Sequence, residues 1–294
     1  MLAYQFSDYL QFVLSGLSTG CIYALIALAF VMIFSVTGIV NLAQGEFVML
    51  GAMLAVVFTA LKLPLGLSAV LSILCVTAIA WVIHRLTIVP ARGASDVGFI
   101  IITIGTSITV RGLSLVAWGT TPYALPEFTP GPAIRIAGAI MGRQRLWIII
   151  VTAVVLLLLY LFLDKTLLGK ALRACSINKQ SAQAIGVNTH GMGVLSYMIG
   201  GALGAVAGIV IAPLTLVSYD MGVSLGLKGF IAAIMGGMIS PVGAVIGGVL
   251  LGLIESLSSA VFSSGVKEGI AYAVLFAVLV GRTIWRAGHG RRDA

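Results

Sequence analysis

The chain has 294 residues, 60% of them hydrophobic and 9% charged, with a mean hydropathy of +1.14. Several uncharged runs exceed the roughly 18 residues that mark a membrane helix, so a soluble core is excluded and a polytopic helical membrane protein is expected. The formal charge of +8 sits in short loops and in a tail with Arg282, Arg286, Arg291 and Arg292, which reads as membrane topology and not as a nucleic-acid footprint.

In chain order, Met1–Asp8 carries one acid and no Lys or Arg, so no cleaved secretory signal is expected. A first span covers about Leu10–Phe34. The stretch VNLAQGE, Val40–Glu46, is then a polar break inside otherwise lipid-compatible sequence. A second span runs about Phe47–Leu61 and stops at Lys62-Leu63-Pro64. A third fills about Leu67–Ile83 and meets His84-Arg85, with both His84 and the later His190 read as loop residues. The fourth, about Val97–Trp118, contains a single charge, Arg111. In the loop of about Gly119–Arg145, which carries four prolines, Ile134–Ile136 and Arg143–Leu146 predict a small hairpin across Ala137-Gly138-Ala139.

A fifth span is Leu146–Leu163. The polar stretch 164–190 follows, with Lys165, Lys170, Arg173 and Lys179 against one acid, Asp164. Cations clustered in a short loop mark the cytoplasmic side. Leu168, Ala171, Leu172 and Cys175 fall at helical spacing, so a short amphipathic helix is expected there, with a helix stop at Gly186. Such a helix at the mouth of a bundle is a docking surface, and Lys170 and Arg173 can donate to acidic or carbonyl groups on a partner. Spans at about 192–217, 229–239, 242–260 and 267–285 then bring the Arg-rich tail to the same side, the second being short and broken at Ile239-Ser240-Pro241.

The expected fold is therefore all-α: a single transmembrane domain over 1–294, with about eight or nine spans, discontinuous helices and a cytoplasmic coupling loop at 164–190. The 119–145 loop falls outside. There Arg135, Arg143 and Arg145 oppose the positive-inside trend, which a folded translocated loop tolerates. GIVNLAQGEFVMLGA and GGMISPVGAVIGG echo one another as small-residue breaks followed by fresh spans, a pattern that marks substrate paths in two-halved transporters.

Three elements carry a family resemblance: GLSTGCIYALIALAFVMIFSVTGIVNLAQGEFVMLGA (Gly16–Ala52), LGKALRACSINKQSAQAIGV (Leu168–Val187) and LKGFIAAIMGGMISPVGAVIGGVLLGLIES (Leu227–Ser256). Together they resemble the permease subunits of bacterial branched-chain amino acid ABC importers, the LivH-type more than the LivM-type. The resemblance implies a multi-pass inner-membrane subunit that moves branched-chain or other hydrophobic amino acids. It also implies a second related permease, two cytosolic ATPase subunits and a periplasmic binding protein. ATP would be bound by the ATPase subunits, and this chain would hold no cofactor. Leu168–Val187 is then the ATPase-docking loop. Where such permeases often show Glu-Ala-Ala, three residues and Gly, this chain has Gln180-Ser181-Ala182 and Gly186, so the spacing is kept while the carboxylate is lost.

The polar residues at membrane depth are few. Glu46, flanked by Asn41 and Gln44, either lines the translocation path or caps the helix it begins, since acids favour helix N-termini. Arg111 either snorkels to the outer headgroups, the reading the sequence favours, or pairs with Glu46 or Glu255. Cys21, Cys75 and Cys175 read as packing residues. No Walker loop or nucleophile elbow is present in the sequence, so an enzyme is not expected and ATP hydrolysis belongs to a separate chain. Urea, short amides or other amino acids stay open as substrates within the family. In another class, an ion-coupled secondary transporter or channel stays open.

Overall fold

Helices account for nearly all regular structure in the computed structural model, which describes residues 6–261 apart from 92 and 137, together with 269 and 273. In order they are α1 Phe6–Thr37, α2 Gln44–Ala60, α3 Leu65–Ile83 prolonged by a π-helical turn His84–Ile88, and α4 Asp96–Trp118. A two-stranded hairpin, β1 Ile134–Ile136 and β2 Ala139–Met141, precedes α5 Arg143–Lys165, α6 Leu167–Ile177, α7 Lys179–Ala184, α8 Thr189–Ile211, α9 Met221–Gly236 and α10 Pro241–Val261. Among the described residues α1, α3, α4, α5, α8 and α10 are long and apolar enough to cross a membrane, while α2 and α9 are apolar but shorter. The predicted span at 267–285 and the Arg-rich tail lie outside the described residues.

Helix α1 is the central post, with most of its length buried in the bundle. It packs on α10 through small residues: a Cβ on Gly20 or Gly252 would run into the backbone of the facing helix. In lipid there is little hydrophobic drive between helices, so close backbone approach supplies the packing. The seam between α2 and α8 works in the same way, with Gly51 against Ala205 and Gly208 against Val48. By contrast α4 and α5 keep most of their surface exposed, with Ile101, Ile108, Leu157 and Leu158 pointing outward. An apolar exposed face on a membrane helix meets lipid or another subunit.

Four boundaries differ from those expected from the sequence, each for a physical reason. Helix α8 stops at Ile211 and not near Val217, because Pro213 cannot continue a helix. Residues 212–220 run on without helix, and Val217 exchanges backbone hydrogen bonds with Tyr123 of the 119–133 loop (2.8 and 2.7 Å). Val217 is buried at that pairing, while 214–216 are exposed. Helix α9 begins at Met221, eight residues before the predicted 229, because the charge of Lys228 is matched inside the bundle and need not mark a boundary. The hairpin exists, but its second strand is β2, paired Ile134↔Met141; Arg143 already starts α5. Finally His84 and His190 are not loop residues. His84 opens the π-helical turn and is buried, and its ring lies 6.0 Å from that of His190 in the first turn of α8.

Candidate functional site

The segment after α1 turns inside the bundle. Gly38 takes φ +76°, and the Thr37 hydroxyl accepts the Ile39 N–H at 3.1 Å. Asn41 Oδ1 then accepts the Ala43 N–H at 3.2 Å, a local side-chain turn that launches α2. The depth of that start is fixed by Gln44, whose Nε2 donates to the Gly200 carbonyl at 2.8 Å. Gly200 is the twelfth of the 23 residues of α8, so α2 begins about half-way along a helix that spans the bundle. Helix α9 begins at the same depth from the opposite side. Gly45 abuts Gly222 and Gly226 so closely that none of the three could carry a Cβ without moving the other helix.

Two half-length helices thus meet N-terminus to N-terminus in the interior. Each presents the positive end of its dipole, and neither N-cap residue, Ala43 or Asp220, makes a side-chain cap bond. Glu46 stands in the first turn of α2 at this junction and is only 1% exposed. Its carboxylate turns to α4: Ser107 Oγ donates to Oε1 at 2.7 Å, and Arg111 Nε lies 3.5 Å from the same oxygen. Arg111 Nη2 also donates to Ser107 Oγ at 3.3 Å, the i,i+4 spacing placing both on one face of α4. The guanidinium is therefore drawn to Glu46 and not to the headgroups. Glu46 Oε2, Arg111 Nε and the Asn41 amide nitrogen remain without hydrogen-bond partners among the described residues. A cavity of about 260 Å³ opens against this cluster between α2, α4 and α9.

The second candidate region is the α6–α7 elbow. Thr166 caps α6 by accepting the Gly169 N–H at 2.9 Å, and Asn178 caps α7 by accepting the Ser181 N–H at 2.9 Å. Helix α7 ends on Gly186 at φ +90°, with Gly186 N–H bonded to Gln183 and Val187 N–H to Ala182, the paired bonds of a Schellman stop. The predicted apolar stripe divides between two faces. Leu172, Cys175 and Ala182 are buried against the bundle, whereas Leu168, Lys170, Arg173, Gln180, Ser181 and Gly186 are exposed. Leu172 is thus an anchor that seats the elbow, and the free face is built from Leu167, Leu168 and Ile177 among the cations. Burial pushes the Cys175 thiol up, with Lys179 acting weakly against it.

Two features escaped sequence reading. Ser107, one of five hydroxyl residues in α4, gave no signal that set it apart. The Lys228–Glu255–Tyr23 cluster gave a faint one: a Lys and a Glu in apolar runs invite pairing, but their 27-residue separation fixes no geometry. Lys228 Nζ lies 2.8 Å from Glu255 Oε1, and the Tyr23 hydroxyl donates to Oε2 at 2.6 Å. The echo noted between the two small-residue breaks also resolves differently. The counterpart of the α2 start is the α9 start at Met221, while the break at 237–240 lies at the far end of α9, where Ile239 and Pro241 face Arg173 and Ser176 across an apolar groove of about 500 Å³.

Comparison with known proteins places these features in a family. Residues 12–281 match the model of the branched-chain amino acid transport system permease component. The high-affinity branched-chain amino acid transport system permease protein BraD of Pseudomonas aeruginosa is 31% identical over 81% of this chain and 82% of its own length. The LivH permease protein of Escherichia coli K12 is 31% identical over 82% of this chain and 83% of its own. Among solved structures, PsaBC from Streptococcus pneumoniae in complex with Fab superposes with a TM-score of 0.52 at 14% identity, covering 93% of this chain and 95% of that one. At that identity the likeness concerns the fold alone.

Proposed function

The chain belongs to the branched-chain amino acid transport system permease component family and is a multi-pass membrane protein, and on that premise we propose that it conducts branched-chain and other hydrophobic amino acids across the bacterial inner membrane, driven by ATP hydrolysed on partner subunits. Its partners in this reading are a second permease of the same family, two cytosolic ATPases and a periplasmic binding protein. The chain itself binds no nucleotide and no cofactor. The Arg-rich tail and the α6–α7 elbow face the cytosol, and the 119–145 loop faces the periplasm.

The observation that carries this reading is the elbow. It is rigidly capped at both helix starts, stopped by a Schellman turn, anchored by buried Leu172 and Ala182, and cationic on its free face. A protruding element with a fixed inner side and a free outer side can transmit a push from a cytosolic motor to the bundle. Its inner side packs on α5, α1 and α8, and α8 holds the start of α2 through Gln44 and Gly200. Movement of the elbow is thereby linked to the junction of α2 and α9. With Glu46 beside that junction, Asn41, Gln44, Glu46 and Arg111 form the polar part of the translocation path.

The test is ATPase co-purification and binding-protein-stimulated hydrolysis and uptake in reconstituted complexes. Gly186→Val forces a β-branched residue into positive φ, a strain of about 1–2 kcal/mol, and places bulk on the exposed turn. It is expected to weaken docking or to leave hydrolysis running without transport. Leu168→Asp should lower docking with thermal stability unchanged, whereas Leu172→Asp should destabilise the subunit itself, since it buries a charge. Wild-type docking, hydrolysis and uptake in Gly186→Val and Leu168→Asp together would remove the coupling role. Impermeant labelling of Thr129→Cys but not Gln180→Cys in intact cells, with the native cysteines replaced, is the expected topology; the reverse overturns it.

A further inference from the structure

The cavity of about 260 Å³ between α2, α4 and α9 lies below the ~300–1,000 Å³ usual for drug-sized ligands, which suits a small metabolite. Its lining is of two kinds. Glu46, Ser107 and Arg111 cluster as a polar end, and Phe30, Leu42 and Phe230 supply apolar wall. The polar end is incompletely bonded, because Glu46 Oε2 and Arg111 Nε are buried without hydrogen-bond partners among the described residues. The side-chain-free Gly222 stands over that oxygen, where a Cβ would come within 3.0 Å of it. The uncapped N-terminus of α9 stands beside it. A carboxylate held in the membrane interior with an unused oxygen is costly unless a cation or donor reaches it.

We propose that this cavity is a transit subsite for a free amino acid. Glu46 Oε2 receives the α-ammonium, Arg111 and the N-terminus of α9 receive the α-carboxylate, and the side chain lies against Phe30, Leu42 and Phe230. The inference rests on the transport reading above and adds which groups hold the substrate inside the bundle. Both signs of charge stand at one end, 3.5 Å apart, which matches a ligand whose own opposite charges are joined by one carbon. A ligand with one charge would satisfy only one of the two groups and should hold less well. Aliphatic and aromatic walls select a compact apolar side chain over a polar one. The Glu46–Arg111 pair can also close on itself, so substrate must compete with it. Weak holding of that kind is what a conduit requires, since a ligand that enters must also leave.

The test uses the full complex in lipid nanodiscs without binding protein or ATP, and radiolabelled L-leucine as probe. Displacement is measured with 3-methylbutylamine, which keeps the ammonium, and 4-methylpentanoate, which keeps the carboxylate. Glu46→Gln is expected to weaken leucine and the amine by roughly tenfold or more while leaving the carboxylate analogue within about twofold, and Arg111→Gln to do the converse. Leu227→Trp, which fills the cavity without removing a charge, should abolish binding of all three. It keeps the test open if loss of Arg111 prevents assembly. Wild-type leucine binding in Glu46→Gln and Leu227→Trp, in a complex that takes up leucine with ATP and binding protein, overturns the subsite alone. A wild-type complex that takes up no amino acid under those conditions overturns the transport reading, and the subsite with it.

Discussion

Glu46 and Glu255 are both almost wholly buried, at 1% and 2% exposed, yet their surroundings differ in kind. Around Glu255 each carboxylate oxygen has a strong partner: Lys228 on Oε1 and the Tyr23 hydroxyl on Oε2. The Lys228 ammonium also lies 5.7 Å from the centre of the Tyr23 ring, and Lys228 itself is 9% exposed. Three helices, α1, α9 and α10, are tied at that point. Around Glu46 one oxygen is shared by Ser107 and a longer contact to Arg111, the other is unused, and open volume adjoins it. A closed charge cluster fixes helices in place, whereas an open one keeps bonding capacity for something that arrives. The two buried carboxylates thus differ in how fully they are bonded, although both residues look alike in the sequence.

The comparison breaks first, and most heavily, at the closed cluster. Lys228→Met leaves Glu255 buried with its cation removed, which should cost about 3–5 kcal/mol and lower the melting temperature of the detergent-purified subunit sharply. The double variant Lys228→Met/Glu255→Leu should recover much of that loss, since replacing a buried pair by apolar residues is often neutral. Equal destabilisation of the single and double variants would mean that the cluster is not the tie described here.

The open cluster should respond in the opposite sense. Glu46→Gln is isosteric, keeps an acceptor for Ser107 and faces a cavity, so thermal stability should shift by no more than about 1 kcal/mol while uptake falls severely. Uptake at the wild-type level would leave Glu46 as a helix-start acid with no part in the path. A smaller effect is expected from Ser107→Ala, which removes two hydrogen bonds to charged groups, the one donated to Glu46 and the longer one accepted from Arg111, each worth about 1.5–3 kcal/mol at most, and leaves both charges in place. It should lower uptake partially, without changing assembly. A Ser107→Ala complex with less activity than Glu46→Gln would show that the hydroxyl, and not the carboxylate, is the group in contact with substrate.

Much of the bundle is legible in the amino-acid sequence. Among the described residues the apolar runs give the spans to within a few residues, the end of α8 and the start of α9 apart, because a lipid solvent demands long uncharged stretches and the chain supplies them. The cation cluster and the helical spacing of Leu168, Ala171, Leu172 and Cys175 gave the elbow, and Gly186 gave its stop, since positive φ strongly favours glycine. Errors gathered where a local signal had two meanings. The expected span at 229–239 leaves Lys228 just outside it, as hydropathy does with any cation; its partner Glu255 lies 27 residues away, and spacing does not reveal it. Helix α8 was drawn through Pro213 because hydropathy does not register the missing N–H.

By itself the sequence determined the class of molecule, the positions of its helices, the family resemblance and the short inventory of charged groups that must be matched inside a membrane. The class, the approximate helix positions and the charge inventory follow from composition and periodicity, which act residue by residue along the chain, while the resemblance rests on the motif stretches Gly16–Ala52, Leu168–Val187 and Leu227–Ser256. The tertiary structure alone decided which charges meet: Arg111 on Glu46 and Lys228 on Glu255, where the sequence favoured a snorkelling Arg111 and left Glu255 without a role. It also decided that α2 and α9 start face to face at Gly45 and Gly222, and that Leu172 points inward while Leu168 points out. The reason is that charge pairing and helix facing depend on contacts between residues far apart in the chain, and hydropathy gives every apolar helix nearly the same signature on all of its faces.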